Sequence, residues 1–247
     1  MMILYRIYQF CIMIPVLVVA TILTAVITII GSVLGMGRSW GYYPAKWWSR
    51  LFCWMTFVRV TVRGRENIDK KTSYVFVANH QGAYDIFSIY GYLNHNFRWM
   101  MKKSLEKIPF VGYSCKMSGQ IMVDSSSPAA VKATMTAAER QLRGGMSLVV
   151  FPEGSRSWTG RMGRFKKGAF TLAVEFGLPV VPITIDGAYQ VMPRAARLPR
   201  PGHIVLTIHP PIMPPAEGHD MSALIADSSE AIASALPEKY RPKTVKD

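Results

Sequence analysis

His80 and Asp85 stand five residues apart in the stretch Asn79-His80-Gln81-Gly82-Ala83-Tyr84-Asp85. An imidazole beside a carboxylate is the pairing of a general base. The carboxylate fixes the tautomer, and the other ring nitrogen is left to take a proton from a hydroxyl. The two groups must first be brought together. The apolar run 74–78, rich in β-branched and aromatic residues, reads as a buried strand, with Asn79 and Gly82 following as turn formers. The apolar stretch 86–93 reads as a helix with Asp85 near its N-terminal end. A unit of this kind sets both groups at the mouth of a sheet. Taken by itself, the pattern is weak, since a histidine at a strand end is more often a loop residue satisfied by its surroundings.

Two further segments offer polar groups at strand ends. In Phe151-Pro152-Glu153-Gly154-Ser155-Arg156-Ser157, Gly154 permits a tight turn and Arg156 presents a planar fork of donors suited to phosphate. Arg161, Arg164, Lys166 and Lys167 follow, and a charge run of this kind also fits a solvated basic loop. In the other, Lys102-Lys103-Ser104-Leu105 leads to Ile108-Pro109 and Gly112, and then to Gly119-Gln120-Ile121-Met122-Val123-Asp124. Its glycines and terminal Asp suggest a loop at the sheet edge, or an ordinary turn with surface lysines.

The 247 residues carry a net charge of +14, which favours an anionic partner: a phospholipid surface, nucleic acid or a phosphorylated substrate. Three scattered cysteines (Cys11, Cys53, Cys115) suit a reducing compartment and argue against structural zinc. His95, His203, His209 and His219 show no ligand spacing, so no metal is expected. The N-terminus selects the lipid surface and leaves nucleic acid aside. No charge lies between Arg6 and Arg38, and the run 11–34 as a helix would reach roughly 36 Å. A bilayer core is about 30 Å thick, so the run can span it or enter it obliquely. Eight aromatics follow between Trp40 and Phe57, interleaved with Lys46 and Arg50, as in a helix lying at headgroup level. Six cations follow the apolar run before the first acid, Glu66, against Arg6 alone ahead of it, which predicts that the following domain sits on the cytoplasmic face of the cell inner membrane.

Beyond residue 58, strands (58–62, 74–78, 120–123, 147–151, 179–185, 203–209) alternate with helices (86–93, 128–142, 167–176, 221–236). The expectation is an α/β domain over 59–240, a mixed central sheet flanked by helices. A membrane-anchoring segment of two helices (1–58) precedes it and a basic tail (241–247) follows. Gly144-Gly145 is a suitable stop for the second helix.

In this order, the segments resemble the glycerolipid acyltransferase family, particularly bacterial 1-acyl-sn-glycerol-3-phosphate acyltransferases. Asn79, His80 and Asp85 match its NHxxxxD block, 102–112 and 119–124 its KKxLxxIPxxG and GxIxxD region, and 151–157 its FPEGTRS block with Ser155 in place of Thr. The run from Phe165-Lys166-Lys167-Gly168 to Val181-Pro182-Ile183 is similar to its fourth block.

The resemblance implies transfer of an acyl group from acyl-carrier protein or acyl-CoA to the free hydroxyl of lysophosphatidic acid, with no cofactor beyond that co-substrate. His80 would be the general base and Asp85 its orienting partner. Glu153, Gly154, Ser155 and Arg156 would line the acceptor site with Asn79, and Lys103, more than Lys102, would assist at the phosphate. Backbone N–H groups within 119–122 are candidate oxyanion donors. The family often carries Arg directly after the GxIxxD aspartate, where this chain has Ser125. A charge-assisted hydrogen bond contributes about 1.5–3 kcal/mol, so the change leaves room for a different acceptor such as a lyso-aminolipid. A membrane-anchored anion binder without catalysis is the other alternative. No GxSxG elbow supports a serine hydrolase.

Overall fold

In a computed structural model, which describes residues 2–124, 126–216 and 220–242, the apolar N-terminus is one helical rod. It comprises α1 (Met2–Tyr8), a π turn (Gln9–Met13) and α2 (Ile14–Val33). The π turn precedes Pro15, which has no N–H to donate to the preceding turn. Short α3 (Gly37–Trp40) reverses the chain into α4 (Tyr43–Met55), which carries the aromatic cluster. The chain then runs through β1 (Val58–Arg63), β2 (Val75–Ala78), α5 (Tyr84–Tyr92), β3 (Phe97–Lys102), α6 (Val111–Met117), β4 (Ile121–Val123) and α7 (Pro128–Arg143). It continues with β5 (Ser147–Val150), α8 (Gly168–Glu175), β6 (Val180–Asp186), α9 (Ala188–Val191), β7 (Gly202–Ile208) and α10 (Ser222–Ser234).

The seven strands form one mixed sheet in the order β1-β7-β6-β2-β5-β3-β4. From β6 to β4 every neighbouring pair is parallel, while β7 runs antiparallel to β6. The C-terminal ends of five strands therefore share one edge, where open α/β sheets bind their ligands. Central β2 has no exposed residue, and its side chains alternate between two cores. Phe76 and Ala78 join Tyr84, Ile89 and Phe97 under α4 and α5. Val75 and Val77 join Phe170, Leu224 and Ile232 under α8 and α10.

The N-terminal rod lies along this domain. Near its start, Gln9 Nε2 donates to Pro199 O at 2.9 Å and the Tyr8 hydroxyl donates to Met55 O at 2.9 Å. Just past its end, Arg38 donates to Gly144 O and Gly145 O at 2.9 and 3.1 Å. Between these anchors α2 packs on α4 and α6. The other side is bare: Ile3, Leu4, Phe10, Val19, Leu23, Ile30 and Val33 are all exposed. A helix held at both ends against one domain offers a lipid phase one flank rather than its full circumference.

Strand β3 and helix α6 lie where no element was expected. Arg98, on β3, is 3% exposed. Its two terminal nitrogens donate to Gly37 O, Phe97 O and Asn96 Oδ1, which offsets part of the cost of burying an arginine inside the sheet. Helix α7 ends at Arg143, and Gly145 takes φ +71° in the turn that follows, as the glycine pair implied.

Candidate active site

Strand β2 delivers Asn79 and His80 to the sheet edge, and the first turn of α5 delivers Asp85. Asn79 has no exposed surface. Its Nδ2 donates to Ile185 O at 2.9 Å and its Oδ1 accepts from Ile185 N–H at 2.8 Å, tying the end of β2 to β6. Beyond this clamp the chain turns outward, and His80 Nδ1 lies 2.7 Å from Asp85 Oδ2. A carboxylate only accepts, so the Nδ1 proton faces Asp85 and Nε2 presents its lone pair outward. Asp85 is fully buried, the His80 side chain is 12% exposed, and the Asp85 charge sits in the first turn of a helix, where the macrodipole favours an anion. Asp85 Oδ2 also accepts from Gly82 N–H at 2.8 Å.

The ring of His80 is fixed in a second direction. It stacks on Phe151 with centroids 3.9 Å apart and planes 5° apart, and Phe151 in turn stacks on buried Trp99. Its backbone is held as well: His80 N–H donates to Glu153 Oε1 at 2.7 Å, and His80 O accepts from Ser157 N–H at 2.8 Å. Glu153 Oε2 accepts from Gly163 N–H at 2.8 Å, so one carboxylate braces the loop of the dyad and both arms of the 152–163 loop. Burial pushes the Glu153 carboxyl above its ordinary range, and the N–H donors of His80 and Gly163 oppose that shift. Gly154 takes φ +78°, a conformation that suits glycine.

A model of the Acyltransferase family matches residues 59–186, just over half of the chain and all of the site described above. This chain belongs to that family. It is 33% identical over 200 residues to a 1-acyl-sn-glycerol-3-phosphate acyltransferase of Pseudomonas aeruginosa, a match covering 79% of this chain and 77% of the relative. It is 31% identical over 201 residues to a chloroplastic enzyme of the same name from Arabidopsis thaliana, covering 81% of this chain. The match spans 55% of that plant protein and 54% of an algal relative from Chlamydomonas reinhardtii. The crystal structure of a 1-acyl-sn-glycerophosphate (LPA) acyltransferase from Thermotoga maritima superposes with a TM-score of 0.71 at 29% identity, covering 88% of this chain and 92% of that one.

Within this member of the family, the residues expected at the acceptor site fall into two groups. On the 152–163 loop Ser155 is exposed and Arg156 half-buried. Among the described residues, no carboxylate pairs with the Arg156 guanidinium. Asn79 and Glu153, expected to touch the acceptor, instead face backbone groups of the protein. Lys103 follows β3, two strands and roughly 10 Å from β2. Its Nζ pairs with Asp124 Oδ2 at 2.8 Å, and this hydrogen bond raises the Lys103 pKa and holds Asp124 well below the usual carboxylate range. Ser125 lies outside the described residues. Of the candidate oxyanion donors, Gly119 and Gln120 N–H are bonded to Lys116 O and Cys115 O, while Ile121 and Met122 lie on the edge strand β4. The Phe151 stack has no sequence signal beyond an aromatic residue beside the Pro-Glu-Gly turn.

Proposed function

We propose that this chain transfers an acyl group from a thioester to the free hydroxyl of 1-acylglycerol-3-phosphate, giving phosphatidic acid. The observation that carries the proposal is the outward Nε2 of His80, backed by Asp85 at 2.7 Å and planed by Phe151. His80 Nε2 takes the proton of the acceptor hydroxyl as its oxygen attacks the thioester carbonyl. The tetrahedral centre collapses, the C–S bond breaks, and the imidazolium returns the proton to the leaving thiolate. Asp85 stabilises the transient imidazolium. A thioester is already activated, so neither a covalent acyl-enzyme nor a prosthetic group is required. Acyl-carrier protein and acyl-CoA supply the same chemistry as donors.

Arg156, without a carboxylate partner among the described residues, takes the larger share of the acceptor phosphate beside Ser155 and Gly154, and Lys103 contributes as half of its pair with Asp124. Asn79 and Glu153 act through the backbone they hold. The bare flank of the N-terminal rod enters one leaflet of the inner membrane from the cytoplasmic side, where lysolipid is dissolved. Purified protein incubated with lysophosphatidic acid and each thioester donor should yield phosphatidic acid. Acylation of a lyso-aminolipid but not of lysophosphatidic acid would replace the acceptor.

A further inference from the structure

A cavity of about 510 Å3 opens between the N-terminal rod and the loop joining α9 to β7. Its charged lining residues are Arg6, Arg197 and Arg200, with Tyr189, Gln190 and Tyr240 adding polar groups, and no carboxylate lines it. Among the described residues none of the three arginines is paired with an acid. Like charges gathered around one cavity repel unless an anion lies between them. We propose that this cavity binds the phosphate headgroup of an anionic membrane phospholipid, at a site separate from the substrate phosphate on Arg156.

The wall is preorganised. Arg6 donates to Gln9 Oε1 at 2.6 Å, and fully buried Gln9 donates to Pro199 O, so the first cation of the rod and the basic loop are held as one surface. A bilayer lipid is favoured over a soluble phosphate by the surroundings of Arg6. Ile3, Leu4 and Ile7 on the same helix are 77%, 72% and 53% exposed, which sets the mouth at an apolar boundary. The site rests on the membrane-facing orientation proposed above.

The same loop touches the catalytic region. Pro193 bridges Gly82, and Ala83 N–H donates to Met192 O at 3.3 Å. Arg194 donates to Arg156 O at 2.9 Å and lies 4.2 Å over Trp158, whose carbonyl accepts from the Tyr189 hydroxyl at 3.0 Å. A headgroup held by Arg197 and Arg200 thus steadies the loop that carries Arg156 while the rod is in lipid.

The test uses the full chain with phosphatidylcholine vesicles, with and without phosphatidylglycerol. Arg197→Ala/Arg200→Ala should weaken binding to the anionic vesicles roughly 25-fold, about fivefold for each arginine near an anionic surface. Binding to neutral vesicles and turnover in neutral detergent micelles should be unchanged. Arg59→Ala/Arg63→Ala, which removes two exposed cations of β1 outside the cavity, should change the anionic preference less than about twofold. Equal losses in the two pairs, or a preference that survives Arg197→Ala/Arg200→Ala, overturns the site and leaves the membrane face standing. Failure of the wild type to bind either vesicle overturns the membrane face itself. Loss of coenzyme A affinity in Arg197→Ala/Arg200→Ala with vesicle binding intact assigns the cavity to a soluble phosphate and overturns the lipid.

Discussion

His80 lies flat on Phe151, with ring centroids 3.9 Å apart and planes 5° apart. The hydrogen bond from Nδ1 to Asp85 fixes where the ring points, and the stack fixes its plane. Together they leave Nε2 a single direction, toward the open edge of the sheet. Positioning of this kind contributes to rate because the proton acceptor need not be reoriented in the transition state.

Phe151→Leu keeps an apolar side chain and removes the flat surface. An aromatic pair contributes about 0.5–1.5 kcal/mol beyond its buried area, so kcat should fall roughly 2- to 10-fold. KM for the acceptor should stay constant, since the ring does not bind it. Steady-state kinetics on the variant check this, and an unchanged kcat would remove Phe151 from the account.

Gly82 has no room for a side chain. A Cβ there would lie 2.6 Å from Met192 O and 2.7 Å from Ala188 O, both backbone atoms that cannot swing away. Because Gly82 N–H also holds Asp85 Oδ2, Gly82→Ala should cost about 1–3 kcal/mol of stability and lower kcat together. Thermal unfolding and turnover measured on one preparation test the coupling.

His95, away from the dyad, sets an acid limit. Its ring is 5% exposed, its Nε2 lies 2.7 Å from Ser147 Oγ, and burial pushes its pKa down to about 4. Between that value and the ordinary value of about 6.5, the unfolded chain binds the proton and the folded chain does not. Stability should therefore be complete above about pH 6.5 and decline as pH falls toward 4. His95→Gln should flatten this dependence, read from urea midpoints at about pH 7 and about pH 5.

What the chain disclosed in advance was local. His80 and Asp85 are five residues apart, and the run 74–78 and the glycine at 154 already implied a strand and a turn beside them. What it withheld was long-range. Glu153 reads as a substrate contact until its bond to the backbone of His80, 73 residues away, is seen. Asn79 likewise turns inward to Ile185. Strand β3 was hidden because an arginine lies inside a sheet only where distant carbonyls such as Gly37 O accept from it. The rod reads as a span by length, while its orientation depends on Gln9 meeting Pro199, 190 residues on.

The dyad is tested most directly by single-turnover acylation of lysophosphatidic acid with the wild type, His80→Ala and Asp85→Asn, each confirmed as folded by circular dichroism. Loss of a general base should lower the rate constant roughly 10²–10⁴-fold in His80→Ala. Asp85→Asn, whose amide can present a donor to Nδ1 and reverse the tautomer, should fall strongly as well. Wild-type rates in both folded variants would contradict the assignment of His80 as the base.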